Sequence, residues 1–321
     1  MKFATRLLHG SLGRDPITGA SSIPIFQAST FHQADLEQPG PFDYARSGNP
    51  TRQALEDAIA ELEGGERGFA FASGMAAISS VFMLFSTGDH VIVSEDVYGG
   101  TYRFLAKILS RMGITATFVD TTRPEAVQAA VTPATKGIYV ETPSNPTLKV
   151  TDLEAICRIA KRYHLLVIVD NTFLTPYYQR PLDWGADVVV HSATKFIGGH
   201  SDVVAGLAVT RDDSLGEQLY LIQNGMGAIL GVQDCWLVMR GLKTLKTRLE
   251  ASSRSAERIA RWLARHPSVK RVYYTGLPEH EGHLIQQRQT SGHGAVLSFD
   301  VGSRERARMV LERARLPLVA V

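Results

Sequence analysis

The stretch Leu165-Leu166-Val167-Ile168-Val169-Asp170 is an apolar run that ends in an acid. Its branched aliphatic residues predict a buried strand of an α/β sheet, and open sheets of this class bind ligands at the carboxyl ends of their strands. A second run, Val188-Val189-Val190-His191-Ser192-Ala193-Thr194-Lys195, places a lysine just past the next strand. The two runs therefore predict that Asp170 and Lys195 meet in one pocket.

The sequence on either side of these runs alternates between two kinds of pattern. Short apolar runs rich in β-branched residues predict strands, and segments with helical periodicity separate them. This alternation is typical of parallel βαβ units and of a layered α/β domain. The predicted strands are 90–93, 115–119, 137–140, 165–169, 186–190 and 203–209, and the predicted helices are 51–62, 75–85, 101–112 and 153–164.

The chain divides into three regions that differ in composition and periodicity. Residues 1–45 are rich in glycine and proline and predict an extended arm. Residues 46–240 hold the α/β pattern and predict the ligand-binding domain. Residues 241–321 predict a smaller α+β domain, and we expect it to be incomplete because it stops within an apolar run. Its predicted elements are a helix at 249–266, strands at 269–274 and 295–299, and a helix at 304–315.

Composition and charge argue against several classes of protein. The 321 residues have a formal net charge of +2, and no basic block with interleaved aromatics indicates nucleic acid or a membrane surface as partner. Neither an apolar signal core nor a run of about 18 apolar residues is present. Cys157 and Cys235 lie in apolar helical patterns that are typical of buried thiols in a reducing compartment. We therefore predict a cytoplasmic protein with a small-molecule substrate.

Pyridoxal 5'-phosphate (PLP) would explain the pair of Asp170 and Lys195. A lysine amine forms a Schiff base with the aldehyde, and an acid that keeps the pyridine nitrogen protonated makes the ring an electron sink. The sequence lacks the glycine motifs of nucleotide and dinucleotide sites, the serine-hydrolase elbow and any Cys/His pair at metal-ligand spacing. An ordinary turn cap at Asp170 and a solvated Lys195 remain the structural alternative.

Other motifs indicate a site for the phosphate group. Ser73-Gly74-Met75 opens an apolar helix whose free N–H groups can bind an anion, and Ser192 and Thr194 can add hydroxyl donors. Tyr44 and Arg46, two apart on an extended segment, could clamp a phosphate together. Tyr98 lies between a strand and a helix, where its ring could stack on a cofactor. An ordinary helix cap, a surface turn and a packing tyrosine are the alternatives.

Taken together, these strings resemble the Cys/Met-metabolism family of PLP enzymes, over nearly the whole chain. The resemblance implies fold type I, the aspartate-aminotransferase-like fold: a mostly parallel sheet flanked by helices, with a smaller C-terminal α+β domain. The strings that carry it are Tyr44-Ala45-Arg46-Ser47-Gly48-Asn49-Pro50-Thr51, Ser73-Gly74-Met75-Ala76, Asp96-Val97-Tyr98-Gly99-Gly100-Thr101, Glu141-Thr142-Pro143-Ser144-Asn145-Pro146, Val169-Asp170-Asn171-Thr172 and His191 through Asp202.

The resemblance implies a role for each matched residue. Lys195 would form the Schiff base and act in catalysis, Asp170 would pair with the pyridine nitrogen, and Tyr98 would stack on the ring and move protons. Tyr44 and Arg46 would reach the phosphate of a neighbouring subunit, which implies a homodimer or homotetramer. The other cofactor-binding residues implied are Ser73, Gly74, Met75, Asn145, Thr172, Ser192 and Thr194.

Within the family, residues 22–33 and 231–238 are most similar to bacterial cystathionine β-lyases, which cleave a thioether amino acid by β-elimination. Gly100 stands where methionine γ-lyases usually have a cysteine, which counts against that activity, and Val321 stands where many γ-acting relatives have a glutamate, which favours β-elimination. Cystathionine γ-lyase and γ-synthase stay open as alternatives, and an inactive scaffold or an NAD-dependent oxidoreductase are the alternatives outside this class. The resemblance places the ligands of the substrate carboxylate beyond residue 321.

Overall fold

The computed structural model describes residues 1–35 and 37–319 of the chain. Within these ranges one seven-stranded sheet has the order β1-β7-β6-β5-β4-β2-β3. Its strands are β1 Arg67–Phe71, β2 His90–Ser94, β3 Thr115–Val119, β4 Thr135–Glu141, β5 Leu166–Asp170, β6 Val188–Ser192 and β7 Gly206–Thr210. The strands predicted from the sequence are confirmed within a few residues, whereas β1 was missed because it combines Arg67 and Gly68 with only three apolar residues.

Strands β2 to β6 are parallel, as the alternating pattern predicts, but β7 runs antiparallel to both of its neighbours. Residues 193–205 join β6 to β7 without a helix of their own. A parallel crossover normally needs a helix to carry the chain back across the sheet, so this connection returns the chain in the opposite direction. The prediction of a mostly parallel sheet is therefore confirmed, with β7 as an antiparallel strand whose connection to β6 carries Lys195.

Helices cover both faces of the sheet. They are α1 Phe3–His9, α2 Pro50–Glu63, α3 Gly74–Phe82, α4 Gly99–Lys107, α5 Pro124–Ala129, α6 Leu153–Tyr163, α7 Thr175–Tyr178, α8 Asp213–Met226, α9 Val232–Lys243, α10 Leu245–Leu263, α11 His283–Gln289 and α12 Arg304–Arg313. Alternate strand residues pack against α2, α6 and α9 on one face and against α3, α4 and α8 on the other. None of the helices in the described ranges is long and apolar enough to cross a membrane.

The C-terminal region contains the long helix α10 and a two-stranded antiparallel sheet. Its strands are β8 Arg271–Tyr273 and β9 Ser298–Asp300, and a small core forms beside them around Ala256, Ala260 and Tyr274. The predicted helices and strands of this region are confirmed, although each strand is shorter than expected. The boundary at residue 241 remains a prediction from the sequence.

The N-terminal arm begins with the short helix α1, whose Leu7 is buried in the main core, and its other described residues form turns, bends and irregular backbone. Asn49 caps α2 by accepting a hydrogen bond from the Thr51 amide at 2.9 Å, and its own side-chain amide donates to the carbonyl of Phe26. The Thr51 hydroxyl donates to the carbonyl of Pro24 at 2.8 Å. The start of α2 thereby holds the arm by side-chain contacts that periodicity does not predict.

Arg52 fixes the segment that precedes α2. Its side chain is only 2% exposed, and its guanidinium group donates to the carbonyls of Ala45 and Arg46 at 2.6 and 3.0 Å. The same group lies 3.4 Å from the carboxylate of Glu56, which is also buried. A buried arginine that satisfies two carbonyls and an acid determines the local path of the chain.

Replacing Arg52 by methionine should destabilise the fold by about 3 kcal/mol, because it leaves the Glu56 carboxylate buried without its partner. Urea unfolding followed by circular dichroism would measure the change. Arg158→Met is the matched control, since Arg158 forms an exposed pair with Glu154 on α6 and should cost less than about 1 kcal/mol. Equal losses in the two variants would contradict this account of Arg52.

Candidate functional site

A cavity of about 350 Å³ opens at the carboxyl ends of β4, β5 and β6. Asp170 ends β5, and Lys195 follows β6 in the turn that reverses the chain toward β7. Both side chains line the cavity, as the two apolar runs predict. The other lining residues are Ser73, Gly74, Met75, Ile78, Tyr98, Glu141, Pro143, Asn145, Thr172, Phe173, Ser192, Thr194 and Val204.

Asp170 is buried and is held by two neutral donors. Its carboxylate accepts hydrogen bonds from the Thr172 amide at 3.0 Å and from the Tyr139 hydroxyl at 3.2 Å. Burial, followed by the charge of Asp170, raises the pKa of Tyr139 well above its ordinary value, so this hydroxyl stays a donor. Because neutral donors leave the charge of the carboxylate uncompensated, the position favours a cationic ligand atom.

Helix α3 begins at the cavity, beside the end of β6. The Ser73 hydroxyl caps it by accepting from the Ala76 amide at 3.0 Å. The amides of Gly74 and Met75, at the first two helical positions, have no acceptor within the helix and remain donors toward the cavity. A Cβ at Gly74 would lie 2.9 Å from that of Ser192, so glycine permits this close approach of α3 to β6.

The hydroxyls beside this helix start are only partly free. The Thr172 hydroxyl oxygen accepts a hydrogen bond from the Ser192 amide at 2.9 Å. The Thr194 hydroxyl contacts residue 205 twice: it accepts from the Ala205 amide at 3.0 Å and donates to the carbonyl of the same residue at 3.3 Å. Amides and hydroxyls gathered at a helix N-terminus form a suitable cradle for a phosphate group.

Comparison with known proteins gives concordant matches. Residues 4–321 match the family described as Cys/Met metabolism PLP-dependent enzymes. Cystathionine beta-lyase MetC of Bacillus subtilis (strain 168) is 56% identical over 317 residues, which cover 99% of this chain and 81% of that protein. The cystathionine gamma-lyase of the same strain is 52% identical over 320 residues, or 100% of this chain and 84% of its own.

The chain belongs to this family of PLP-dependent enzymes. Among solved structures, cystathionine gamma-lyase from Lactobacillus plantarum complexed with L-serine matches with a TM-score of 0.98 at 48% identity. That match covers 100% of this chain and 84% of the other. The predictions of the family, of fold type I, of PLP as cofactor and of a PLP-dependent carbon–sulfur lyase are confirmed at the level of the family.

The hydrogen-bond donors and acceptors that line the cavity are suited to PLP. Lys195 supplies the amine, Asp170 supplies an uncompensated acid, and the start of α3 supplies anion donors. These three kinds of group match the aldehyde, the pyridine nitrogen and the phosphate of the cofactor. The fit therefore rests on three different groups, an amine, an acid and a helix start, that line one cavity.

Tyr44 and Arg46 are the predicted site residues that do not line this cavity. Tyr44 is exposed and bridges to Thr30 across the arm, and the Arg46 guanidinium lies over the Tyr44 ring, 5.5 Å from its centroid. The two side chains thus form one exposed pair, as their spacing predicts, but away from the cavity of their own chain. Their contact with a phosphate remains a prediction.

Glu141 is the ionisable residue of the cavity lining to which no role was assigned from the sequence. It ends β4 as Asp170 ends β5, and the two are partners in the parallel register. The available signal was its place after the buried run 137–140, which repeats the pattern of Asp170. Its neighbour along the edge could be identified only once the strand order was known.

Gly100 in α4 lies under the ring of Tyr98. A Cβ at this position would overlap the Tyr98 ring and would lie 2.7 Å from the Met75 sulfur. Glycine therefore lets the Tyr98 ring and Met75 lie together at the cavity. A cysteine here, as in some γ-acting relatives of the resemblance above, would require one of these side chains to move.

Substitution Gly100→Ala should weaken PLP binding by about tenfold, because an added methyl group at a packed position costs roughly 1–3 kcal/mol. Titration of the protein with PLP, followed by its visible absorbance, would measure this. Gly99→Ala is the control, since a Cβ at Gly99 meets only the Arg103 guanidinium, at 3.4 Å. Unchanged PLP affinity in Gly100→Ala would contradict the proposed packing of Tyr98.

Proposed function

We propose that this chain cleaves cystathionine by β-elimination, which with water gives homocysteine, pyruvate and ammonia. The observation that carries the proposal is the meeting of Lys195 and Asp170 in one cavity. The match to the cystathionine beta-lyase of Bacillus subtilis supports the choice of reaction. When bound, PLP supplies an electron sink for the electron pair left at the substrate Cα.

Lys195 has two tasks in this proposal. When PLP is bound, the Lys195 amine would hold it, and the same amine, when not bonded to the cofactor, would remove the Cα proton of the substrate. The position of Lys195 in the connection between β6 and β7 supports both tasks, because the side chain reaches the cavity from a turn rather than from the sheet.

Asp170 keeps the pyridine nitrogen protonated in this proposal. Its two neutral hydrogen-bond donors orient the carboxylate without neutralising it. A carboxylate that retains its charge in a buried place strongly favours a proton on the ring nitrogen. Replacement of the acid by its amide would remove that preference.

The phosphate is held by the α3 side of the cavity. The amides of Gly74 and Met75 and the hydroxyl of Ser192 are the donors that we assign to it, with Ser73 and Thr194 shaping the cradle. Asn145 and Thr172 complete the cofactor site on the sheet side.

Tyr98 stands where it can act on both cofactor and substrate. Half of its side chain is exposed, and the residue lines the cavity at the start of α4. We assign its ring to stacking on the cofactor and its hydroxyl, together with Lys195, to delivery of a proton to the leaving sulfur.

Gamma-elimination is the second candidate reaction. It is supported by the 52% identity to a cystathionine gamma-lyase and by the match to the Lactobacillus plantarum enzyme. By the resemblance described above, Gly100 counts against the activity of methionine γ-lyases. Val321, the other position named for this choice, lies outside the described residues.

The products formed from cystathionine distinguish the two reactions. The purified protein supplied with PLP should release pyruvate and homocysteine, whereas γ-elimination would release 2-oxobutyrate and cysteine. Chromatography of the keto acids as hydrazones would separate them. Predominant 2-oxobutyrate would contradict the β-elimination proposal but would not contradict the assignment of PLP.

The variant Lys195→Ala is the control for this assay. It should lose both keto-acid products and the visible absorption band of lysine-bound PLP, because it lacks the amine that bonds the cofactor. Lys149→Ala is the matched variant, since Lys149 pairs with Glu95 near the protein surface. No visible band in the wild type after addition of PLP would favour an inactive scaffold.

We further propose that the enzyme is a homodimer or a pair of dimers in which Tyr44 and Arg46 bind the phosphate of the neighbouring subunit. The proposal is supported by their exposure and by their absence from the cavity lining of their own chain. Arg52 holds the backbone of this segment in place for such a contact. A cytoplasmic location remains a prediction from the sequence.

Mixing two inactive variants should restore activity if Arg46 serves the neighbouring site. In a heterodimer of Lys195→Ala and Arg46→Ala chains, one of the two sites has both residues, so the isolated heterodimer should have about one half of wild-type activity and a randomly reassorted mixture about one quarter. Co-expression with two affinity tags would isolate the mixed species. Recovery should fail if Arg46 acts only within its own chain.

A further inference from the structure

Glu141 makes a contact that links the sheet to the Tyr98 segment. Its side chain is buried at the end of β4, lines the cavity, and accepts a hydrogen bond from the Tyr98 amide through Oε2 at 2.8 Å. One buried acid thus connects two segments that line the cofactor cavity.

The Tyr98 segment needs such an anchor because packing leaves its ring half exposed. Tyr98 precedes α4 in the N-cap position, but its side chain caps nothing. Nearby, the Asp96 carboxylate accepts from the hydroxyls of Ser144 and Thr147. The residues after strand β2 are therefore tied to β4 and to the loop after it by hydrogen bonds at positions 96 and 98.

The electrostatic surroundings of Glu141 are unusual for an acid. Burial first, and the nearby charge of Asp170 second, raise its pKa to about 8, with a smaller contribution from Asp96. The other titratable groups facing this corner are the Tyr139 hydroxyl, which donates to Asp170, and Lys195 across the cavity. A protonated Glu141 can still accept the Tyr98 amide through its carbonyl oxygen.

We propose that Glu141 is a positioning residue that holds Tyr98 over the cofactor cavity as a neutral acid, without adding a second negative charge beside Asp170. The inference rests on the function proposed above, because Tyr98 is taken to act on PLP. It goes beyond that function by assigning a task to a buried group that the reaction itself does not use.

Two substitutions at this position separate the hydrogen bond from the charge. Glu141→Gln keeps a neutral acceptor, whereas Glu141→Leu removes the acceptor at similar size, and Glu141→Ala replaces it if the leucine variant does not fold. Glu95→Gln and Glu95→Leu are matched controls, because Glu95 is a partly exposed acid of the same segment that pairs with Lys149.

The first readout is hydrogen exchange of residues 95–104, measured with and without PLP. The leucine variant should exchange the Tyr98 amide about threefold to tenfold faster, as expected for one lost hydrogen bond, while the glutamine variant should stay within about twofold of wild type. Unchanged exchange in both Glu141→Leu and Glu141→Ala would overturn the anchoring role, whether or not the protein proves to be a lyase.

The second readout is the visible circular dichroism of bound PLP, which reports how the ring is held. It should fall by about half or more in Glu141→Leu and recover in Glu141→Gln, whereas a merely structural role would leave it unchanged in protein that is fully loaded. If the wild type shows no visible PLP signal, the proposed function is contradicted. The anchoring role of Glu141 is then tested by hydrogen exchange alone.

The third readout tests the neutral acid through stability. An acid whose pKa is raised on folding stabilises the folded state below its unfolded value, near 4.5, and loses that contribution as the pH rises through about 8. The melting temperature of Glu141→Gln relative to wild type should therefore increase between pH 5 and pH 9. If the difference in melting temperature does not change with pH, Glu141 is not neutral in the folded protein. The anchoring role is then decided by hydrogen exchange.

Discussion

The parallel register of β4, β5 and β6 is the constraint on which the rest of the site depends. Glu141 pairs with Asp170 across β4 and β5, and Asp170 pairs with Val190 across β5 and β6. Parallel strands that share a register end at one edge, so their last polar side chains meet there. The reversal into β7 then brings Lys195 to the same edge. A shift of one residue in β5 would turn Asp170 to the other face of the sheet.

The buried charges around this edge fit the chemistry of the family. Two neutral donors orient the Asp170 carboxylate, while the start of α3 adds positive partial charge to the same cavity. A cofactor with a cationic ring nitrogen and an anionic phosphate complements both. The family match and the electrostatics of the cavity therefore support the same cofactor on independent grounds.

The arm shows how a buried ion pair can fix the backbone of an exposed segment. Arg52 and Glu56 lie inside the fold, yet the hydrogen bonds of Arg52 end on the backbone of Ala45 and Arg46. The exposed side chains of Tyr44 and Arg46 are thus presented from a fixed piece of chain. Stability of the α/β domain and presentation of this surface are linked through one guanidinium group.

Sequence alone determined the elements whose signal is local. Apolar runs predicted most of the strands of the main sheet. Asp170 and Lys195 could be identified because a charged residue that directly follows a buried strand is recognisable from the sequence alone. The tertiary structure decided what depends on neighbours: β1 as a strand, the reversal of β7, and the contact between Glu141 and Tyr98. These features arise between segments far apart in the chain: local patterns predicted that Asp170 and Lys195 meet, but they do not specify the strand order or the contacts between segments that are not neighbours in sequence.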